Sequence, residues 1–180
     1  MDDPASAYDM SHVDERAEKC TLAILVDNEP GVLGRVVGLF SARGYNIESL
    51  TVAEVDQRRH RSRITIVTIG TPAMLEQIKA QLLRLVPVAS VTDITKSHRG
   101  LERELALLKV AGTGEKRVEA LRIAEIFRAR VVDTTNESFI FELTGASEKI
   151  DEFRKLMKPL GLVEISRTGV LSIKRGAKAS

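Results

Sequence analysis

Pro30 and Gly31 belong to the stretch 28–33, which follows the apolar run 20–26 and leads into a helix-like run. A proline at the first position of a helix gives up an N–H that would be unpaired anyway, and a glycine beside it lets a small ligand approach the backbone closely. The free N–H groups that follow lie at the positive end of the helix dipole. A small carboxylate is therefore the ligand that this junction predicts, although an ordinary helix start has the same pattern.

Histidine and cysteine residues, which often supply metal ligands and nucleophiles, are few and scattered. His12, His60 and His98 fall in the N-terminal segment, a polar hairpin tip and a polar connection, without the spacing of metal ligands. The single cysteine, Cys20, excludes an internal disulfide framework, and its place in an apolar run predicts that it is buried. No catalytic residue, metal site or cofactor is therefore predicted in this chain.

Motifs of nucleophile elbows and dinucleotide-binding loops are absent from the sequence. The glycines of 112–114 lack the spacing of a phosphate-binding loop. Acidic neighbours, such as Glu102 with Glu104 or Asp151 with Glu152, are typical of solvated faces rather than of an acid–base pair. Nothing in the sequence resembles the reacting centre of an enzyme.

Composition and charge narrow the range of partners. The 180 residues carry 27 Lys and Arg against 25 Asp and Glu, a formal net charge of +2, so no broad attraction to nucleic acid or to a membrane surface is expected. No apolar run approaches the roughly 20 residues that span a bilayer. Residues 1–18 are acidic and lack the features of a secretory signal, which predicts a flexible tail on a cytoplasmic protein.

Apolar periodicity predicts a first β-α-β-β-α-β unit after that tail. Alternation and helical spacing divide it into strands at 19–27, 46–55, 63–69 and 88–94, a helix at 30–42 and a second helix that starts after Pro72 and ends before Pro87. This order of elements is the split ferredoxin-like arrangement. Residues 57–62 form the polar tip of its central hairpin.

A second unit repeats this order of elements with different residues. Its predicted strands are 104–111, 130–135 and 138–144, its helices are 118–128 and 147–160, and 162–173 supplies the last strand or pair of strands. The fold class is thus α+β, with two consecutive ferredoxin-like βαββαβ domains. The expected division is a tail at 1–18, a domain at 19–96, a linker at 97–103, a domain at 104–176 and a tail at 177–180.

Two small domains of this kind predict a homo-oligomer. Helices cover one face of each sheet, and the first sheet still has apolar residues for a partner at Leu25, Ile47, Val55 and Ile69. Domains of this size are marginally stable alone. We therefore expect a second copy of the chain to cover some of these residues.

An RNA-binding module has the same order of elements and is the alternative to test. Such a sheet carries aromatic residues on its third strand, where bases stack. The corresponding run 63–69 is RITIVTI, with Tyr45 as the nearest aromatic residue. The arginines of 58–61 could contact phosphate or a partner, but a solvated hairpin tip explains them equally well.

Runs 28–33 (NEPGVL) and 43–52 (RGYNIESLTV) resemble the start of the small, regulatory subunit of acetohydroxyacid synthase, also called acetolactate synthase. The resemblance covers nearly the whole chain apart from the N-terminal tail, continuing through 75–78, 81–82, 85–88, 122–128 and 167–169. The string YNIESL is specific to this family. The strand followed by N-x-P-G-x-L marks only the wider class of amino-acid-sensing ACT domains.

The resemblance implies a non-catalytic subunit with an N-terminal ACT domain and a C-terminal ACT-like domain. Such a subunit activates the large catalytic subunit and makes it sensitive to valine. That enzyme joins two pyruvates, or pyruvate and 2-oxobutyrate, in the biosynthesis of valine, isoleucine and leucine. Thiamine diphosphate, Mg²⁺ and FAD are expected on the catalytic partner and none of them in this chain.

The resemblance also implies where valine binds. In the family, ACT domains form a homodimer side by side, and the effector lies between the first helix of one protomer and the start of the second strand of the other. Carried over to this sequence, Asn28, Gly31, Val32 and Leu33 form one wall of the valine site. Asn46 and Ile47 form the other wall.

Each of these side chains also has a plainer interpretation. Asn28 could be the cap of the first helix, Asn46 could be a turn residue, and Leu33 and Ile47 could belong to the core. The alternative function for the whole chain is a free-standing ACT-type amino-acid sensor that controls another enzyme or a transcriptional regulator.

Overall fold

The first unit is a four-stranded antiparallel sheet with two helices against one face. The computed structural model describes residues 16–96 and 100–177. The strand order in the sheet is β2-β3-β1-β4. The elements are β1 (Glu18–Asp27), α1 (Val32–Ser41), β2 (Ser49–Asp56), β3 (Arg61–Gly70), α2 (Pro72–Leu82) and β4 (Val88–Asp93).

Its core lies between the helices and one face of the sheet, as the periodicity predicts. Alternate residues of β1 and β3 point to this face, and every fourth residue of α1 meets them. The pattern is a strip of fully or almost fully buried side chains that includes Leu22, Ile24, Val26, Val32, Val36, Phe40, Ile64 and Ile66.

The second unit repeats the arrangement, with strand order β6-β7-β5-β8 and a further strand, β9, that also pairs with β5. Phe141 and Phe153 are fully buried at its centre, in an edge-to-face contact with ring centroids 6.0 Å apart. The prediction of an α+β fold with two ferredoxin-like units is confirmed. The elements are β5 (Gly100–Ala111), α3 (Gly114–Phe127), β6 (Arg130–Thr134), β7 (Ser138–Gly145), α4 (Ser147–Gly161), β8 (Leu162–Arg167) and β9 (Leu171–Lys174).

The expected linker is wrong from Gly100 onward. Residues 100–103 are the first four residues of β5 and pair with β9 in the register Gly100↔Lys174 to Arg103↔Leu171. A strand forms in this polar sequence because a segment about seventy residues away supplies its hydrogen bonds, which no local pattern reveals. Residues 97–99 lie outside the described part of the chain, as do 1–15 and 178–180 of the predicted tails.

The face of the first sheet that is opposite the helices is partly covered within the chain. The Ser49 hydroxyl accepts from the Val170 N–H at 2.9 Å, and the Thr51 hydroxyl donates to the Val170 carbonyl at 3.1 Å. Val170 itself is buried. The segment before β9 therefore lies along β2. The two units are joined by this packing as well as by the chain connection that leads into β5.

This packing corrects the expected oligomer surface. Leu25 is half-buried and lines a cleft that β9 helps to form, and Ile47 packs against the helix-side core. Val55 and Ile69 stay about half exposed. These last two residues are the more exposed of the four, although Val55 also lines the cleft.

Cys20 is buried, as its apolar surroundings predict. Burial and the nearby Asp93 raise the pKa of its thiol to about 12, so the thiolate is not formed near neutral pH. Across residues 16–96 and 100–177, no helix is long and apolar enough to cross a membrane.

Gly161 provides a test of the packing between α4 and β5. Its φ of +108° is unfavourable for other residues, and a Cβ there would lie 1.9 Å from the backbone oxygen of Ala111. We expect Gly161→Ala to lower the free energy of unfolding by about 2–4 kcal/mol. Gly114→Ala is the matched control, because Gly114 also has positive φ but open space around its Cβ position.

Denaturant titration of both variants measures the difference. The control should lose only about 1–2 kcal/mol, the cost of the left-handed conformation. Equal losses in the two variants would contradict a close contact between Gly161 and Ala111.

Candidate functional site

A tight turn, rather than a proline in the helix, begins the candidate site. The Val32 N–H donates to the Glu29 carbonyl at 3.3 Å, and Gly31 has φ 84° and ψ −3°. Proline at the second position and this glycine conformation at the third define a type II turn. The prediction of Pro30 as the first helical residue is therefore wrong. Gly31 is the N-terminal cap residue of α1, and its freedom to adopt positive φ is the reason for glycine here.

The start of α1 presents unpaired backbone amides. In the described part of the chain, the Leu33 and Gly34 N–H groups have no hydrogen-bond acceptor, and no side chain caps the helix. The space where a Gly31 side chain would begin is open. Glu29, the nearby carboxylate, pairs with Arg35 at 3.0 Å, which reduces its repulsion of an anion. This geometry suits a carboxylate or another small anion.

The other two predicted residues on this side have different surroundings. Val32 is buried in the core below the turn, whereas Leu33 is 38% exposed, so the core alternative is wrong for Leu33. Asn28 is exposed, and its backbone N–H donates to the His60 carbonyl at 2.6 Å. Its side chain does not cap α1, so that alternative is wrong as well.

Asn46 and Ile47 lie in the loop just before β2, not in the strand, which begins at Ser49. Ile47 is half-buried against the core, and Asn46 is exposed. The Asn46 carbonyl accepts from the Thr68 hydroxyl at 2.7 Å, and its side-chain amide donates to the Glu48 carboxylate. The side-chain oxygen of Asn46 is left to accept from a ligand.

Glu48 is a residue that the sequence argument missed. Its exposed carboxylate contacts Asn46 and adds a negative charge beside the predicted wall of the valine site. The residue belongs to the family-specific string, which was the available signal. Its chemistry becomes clear only from its contact with Asn46.

The two halves of the predicted site do not meet within one chain. Asn28 is bonded to His60, just before β3, whereas Asn46 is bonded to Thr68, near the end of β3. An antiparallel strand advances about 3.4 Å per residue, so these bonds lie roughly 25 Å apart along the sheet. A pocket that contains both Gly31 and Asn46 therefore needs two copies of the chain.

A partly buried ion pair in the second unit also escaped sequence analysis. Arg167 donates to Glu104 through Nε at 2.8 Å and Nη2 at 2.6 Å, and to Asp151 through Nη1 at 2.7 Å. The expectation that Glu104 lies on a solvated face is wrong, because Glu104 is buried and also accepts from Ser147. These hydrogen bonds raise the pKa of Arg167.

Arg167, Glu104 and Asp151 line a cavity of about 490 Å³ between the two units, together with Lys19 and Glu48. The guanidinium of Arg167 is already bound on both sides by carboxylates. We therefore assign this cluster to the junction of β5, β8 and α4 and not to ligand binding.

Side chains that could bind a metal ion do not cluster in the described part of the chain. Over the described ranges, no group of three or more His, Cys, Asp and Glu residues is placed to hold an ion. His60 lies exposed at the hairpin tip, while His12 and His98 fall outside the described residues.

The first unit combines the βαββαβ topology with a glycine turn at the start of α1, and its match to a family profile identifies it as an ACT domain. A family profile described as the AHAS small subunit-like ACT domain matches residues 22–90. A second profile, described as the small subunit of acetolactate synthase, matches residues 103–176. Together these profiles span both units.

Full-length relatives agree with these matches. The chain is 45% identical to the acetolactate synthase small subunit of Haemophilus influenzae, covering 87% of this chain and 96% of that one. It is 44% identical to the acetolactate synthase isozyme 3 small subunit of Escherichia coli, with the same coverage. The crystal structure of the acetolactate synthase small subunit from Thermotoga maritima superposes with a TM-score of 0.80 at 37% identity, over 89% of this chain and 99% of that one. The chain belongs to the family of acetolactate synthase small subunits.

The Glu104–Arg167 pair gives a prediction for the second unit. We expect Glu104→Ala to lower the free energy of unfolding by about 2 kcal/mol, because it removes the buried carboxylate that accepts two charged hydrogen bonds from the partly exposed Arg167. Glu164→Ala is the control, since Glu164 forms an exposed ion pair with Lys109. Urea denaturation followed by circular dichroism compares the two variants. A Glu104→Ala protein as stable as the control would contradict the assigned role.

Proposed function

We propose that this chain is the non-catalytic regulatory subunit that activates the acetolactate synthase catalytic subunit and confers feedback inhibition by valine. The proposal places it in the biosynthesis of valine, isoleucine and leucine. The observation that carries it is the pair of unpaired amides, Leu33 and Gly34, beside an open turn in an ACT domain of this family.

Pairing of two copies through β2 would complete the site. β2 is an edge strand, so one side of its backbone has no partner strand within the sheet. Two β2 strands related by a two-fold axis run antiparallel, which places the start of each beside the end of the other. The loop directly before β2 carries Asn46. The far end of β2 is level with the turn at Gly31. Each dimer would thus contain two equivalent sites built from both chains.

The groups in such a site match the three parts of valine. The carboxylate would accept from the Leu33 and Gly34 amides at the positive end of α1. The ammonium would donate to the Asn46 side-chain oxygen and lie near the Glu48 carboxylate of the other protomer. The exposed part of Leu33 and the half-buried Ile47 would enclose the isopropyl group.

The large catalytic subunit is the proposed partner, and it would carry thiamine diphosphate, Mg²⁺ and FAD. The proposed role of this chain is regulatory, and its proposed location is the cytoplasm. Co-purification tests this proposal. The chain should associate with a much larger, thiamine-dependent polypeptide and increase its rate, whereas a free-standing sensor would not.

Gly31→Asp tests the carboxylate position. We expect this variant to lose valine inhibition and retain activation, because its own carboxylate would occupy the place of the ligand's. Asn is the matched control, since it has nearly the same shape, tolerates positive φ equally well and carries no charge. Acetolactate formation by the reconstituted pair of subunits is measured against valine concentration.

Inhibition of Gly31→Asp at the wild-type valine concentration would refute the proposed pocket. Equal loss of inhibition in Gly31→Asn would assign the effect to the backbone of the turn and not to charge.

Selectivity for valine over alanine tests the apolar wall. Valine has two more carbons than alanine, and burying them contributes about 1.6 kcal/mol at about 0.8 kcal/mol each. We therefore expect roughly fifteenfold tighter binding of valine by calorimetry. Leu33→Ala should reduce this ratio, while Leu83→Ala, an exposed residue just after α2, should leave it unchanged. A ratio near one in the wild type would contradict an enclosed isopropyl group.

A further inference from the structure

A second cleft lies on the face of the first sheet that is opposite the helices, between β3 and β9. Its volume is about 450 Å³, within the range of small-molecule sites. Arg61 and Arg63 of β3 line one side, and Ile173 and Lys174 of β9 line the other. Its composition is therefore both basic and apolar.

Arg63 is the unusual residue of this cleft. Its Nε and Nη2 atoms are buried and have no hydrogen-bond partner. The side chain lies on the sheet face between Leu25 of β1 and Ala53 of β2, its neighbours in the strand register, so neither adjacent residue supplies an acceptor. Burial lowers the pKa of its guanidinium, since the cation has lost water without gaining an anion. Arg63 as a whole is partly buried, but buried donor atoms of a cation without an acceptor are costly, and an anionic ligand would remove that cost.

The carboxylates near the cleft are already engaged at its rim. Asp56 lies 3.8 Å from Arg59, and Asp27 lies 3.6 Å from Arg61. Among the described residues, neither Arg63 nor Lys174 has a carboxylate within ion-pair distance. Two cations that face one cavity thus have no anion from residues 16–96 and 100–177.

The wall of the cleft limits the kind of anion. Leu25, Val55 and Ile173 supply apolar surface, while Arg63 offers the planar fork of donors that suits carboxylate and phosphate oxygens. We propose that this cleft binds a small organic anion, a carboxylate or phosphate monoester with a short apolar group, through Arg63 and Lys174.

This site is independent of the proposed valine site. The valine contacts lie at the start of α1 and in the loop before β2, whereas Arg63, the third residue of β3, points to the face of the sheet opposite the helices. A bound anion would contact β3 of the first unit and β9 of the second at once. It would therefore strengthen the packing of the two units against each other.

Calorimetry and thermal unfolding of the full chain test the proposal. The probes are isovalerate, n-butyl phosphate and inorganic phosphate, titrated at constant ionic strength with chloride as the balancing ion. We expect saturable binding of at least one of the two organic anions, with a rise in melting temperature. The stronger of the two identifies the head group, and tighter binding of n-butyl phosphate than of inorganic phosphate shows that the apolar wall contributes.

Arg63→Gln should weaken binding of the preferred probe by about ten- to a hundredfold, as expected for the loss of a charged hydrogen bond. Lys174→Gln should weaken it less, because an ammonium binds as a point charge. Arg58→Gln is the matched control, since it removes the same charge from the exposed hairpin tip outside the cleft and should leave affinity unchanged. Without anion, Arg63→Gln should melt at a higher temperature than the wild type, because it removes the unpaired buried charge.

Three results would overturn the proposal. They are the absence of saturable binding of all three probes at millimolar concentration, equal weakening by Arg58→Gln and Arg63→Gln, and unchanged affinity in Arg63→Gln. The first would mean that water alone solvates Arg63, and the second that the effect is one of net charge. Valine binding by Arg63→Gln, measured in parallel, keeps this outcome separate from that of the valine site.

Discussion

Strand β3 hydrogen-bonds to β1 on one side and to β2 on the other, and its register sets the distances on which ligand binding depends. One end of β3 is level with the turn at Gly31, and the other end is level with Asn46. Because a strand is stiff and extended, no movement of side chains brings these ends together. Pairing of two copies of the chain about a two-fold axis would bring an end of each type together. In the proposed mechanism, ligand binding and subunit pairing are therefore a single event.

Packing between the two units gives the second half of the chain a role beyond its own core. β5 pairs with β7, β8 and β9, and the segment after β8 lies on β2 through Ser49 and Val170. The Arg167 ion pairs hold β8 against β5 and α4 just before that segment. Ser49, at the start of β2, is therefore in direct contact with the second unit, so a structural change there acts directly on that unit.

Local periodicity was sufficient to predict most helices and strands. It failed where the structure of a segment depends on pairing with residues that are distant in sequence. Burial of Ile24 and Phe40 follows from alternation and helical spacing, because each pattern leaves only one apolar face. Gly100 to Arg103 form a strand only through their pairing with β9, and Glu104 is buried only because Arg167 reaches it. Polar residues of this kind satisfy their hydrogen bonds with partners that are remote in sequence, so their neighbours give no signal.

The sequence by itself determined the order of elements, the two cores and the glycine turn at Gly31, since propensity, periodicity and turn chemistry act over a few residues. It also carried the family-specific string that includes Asn46. Tertiary structure alone decided that Gly31 and Asn46 lie at opposite ends of a sheet, and that two buried donor atoms of Arg63 have no acceptor. Both facts depend on strand register and on packing between units, which bring together residues that no local rule connects.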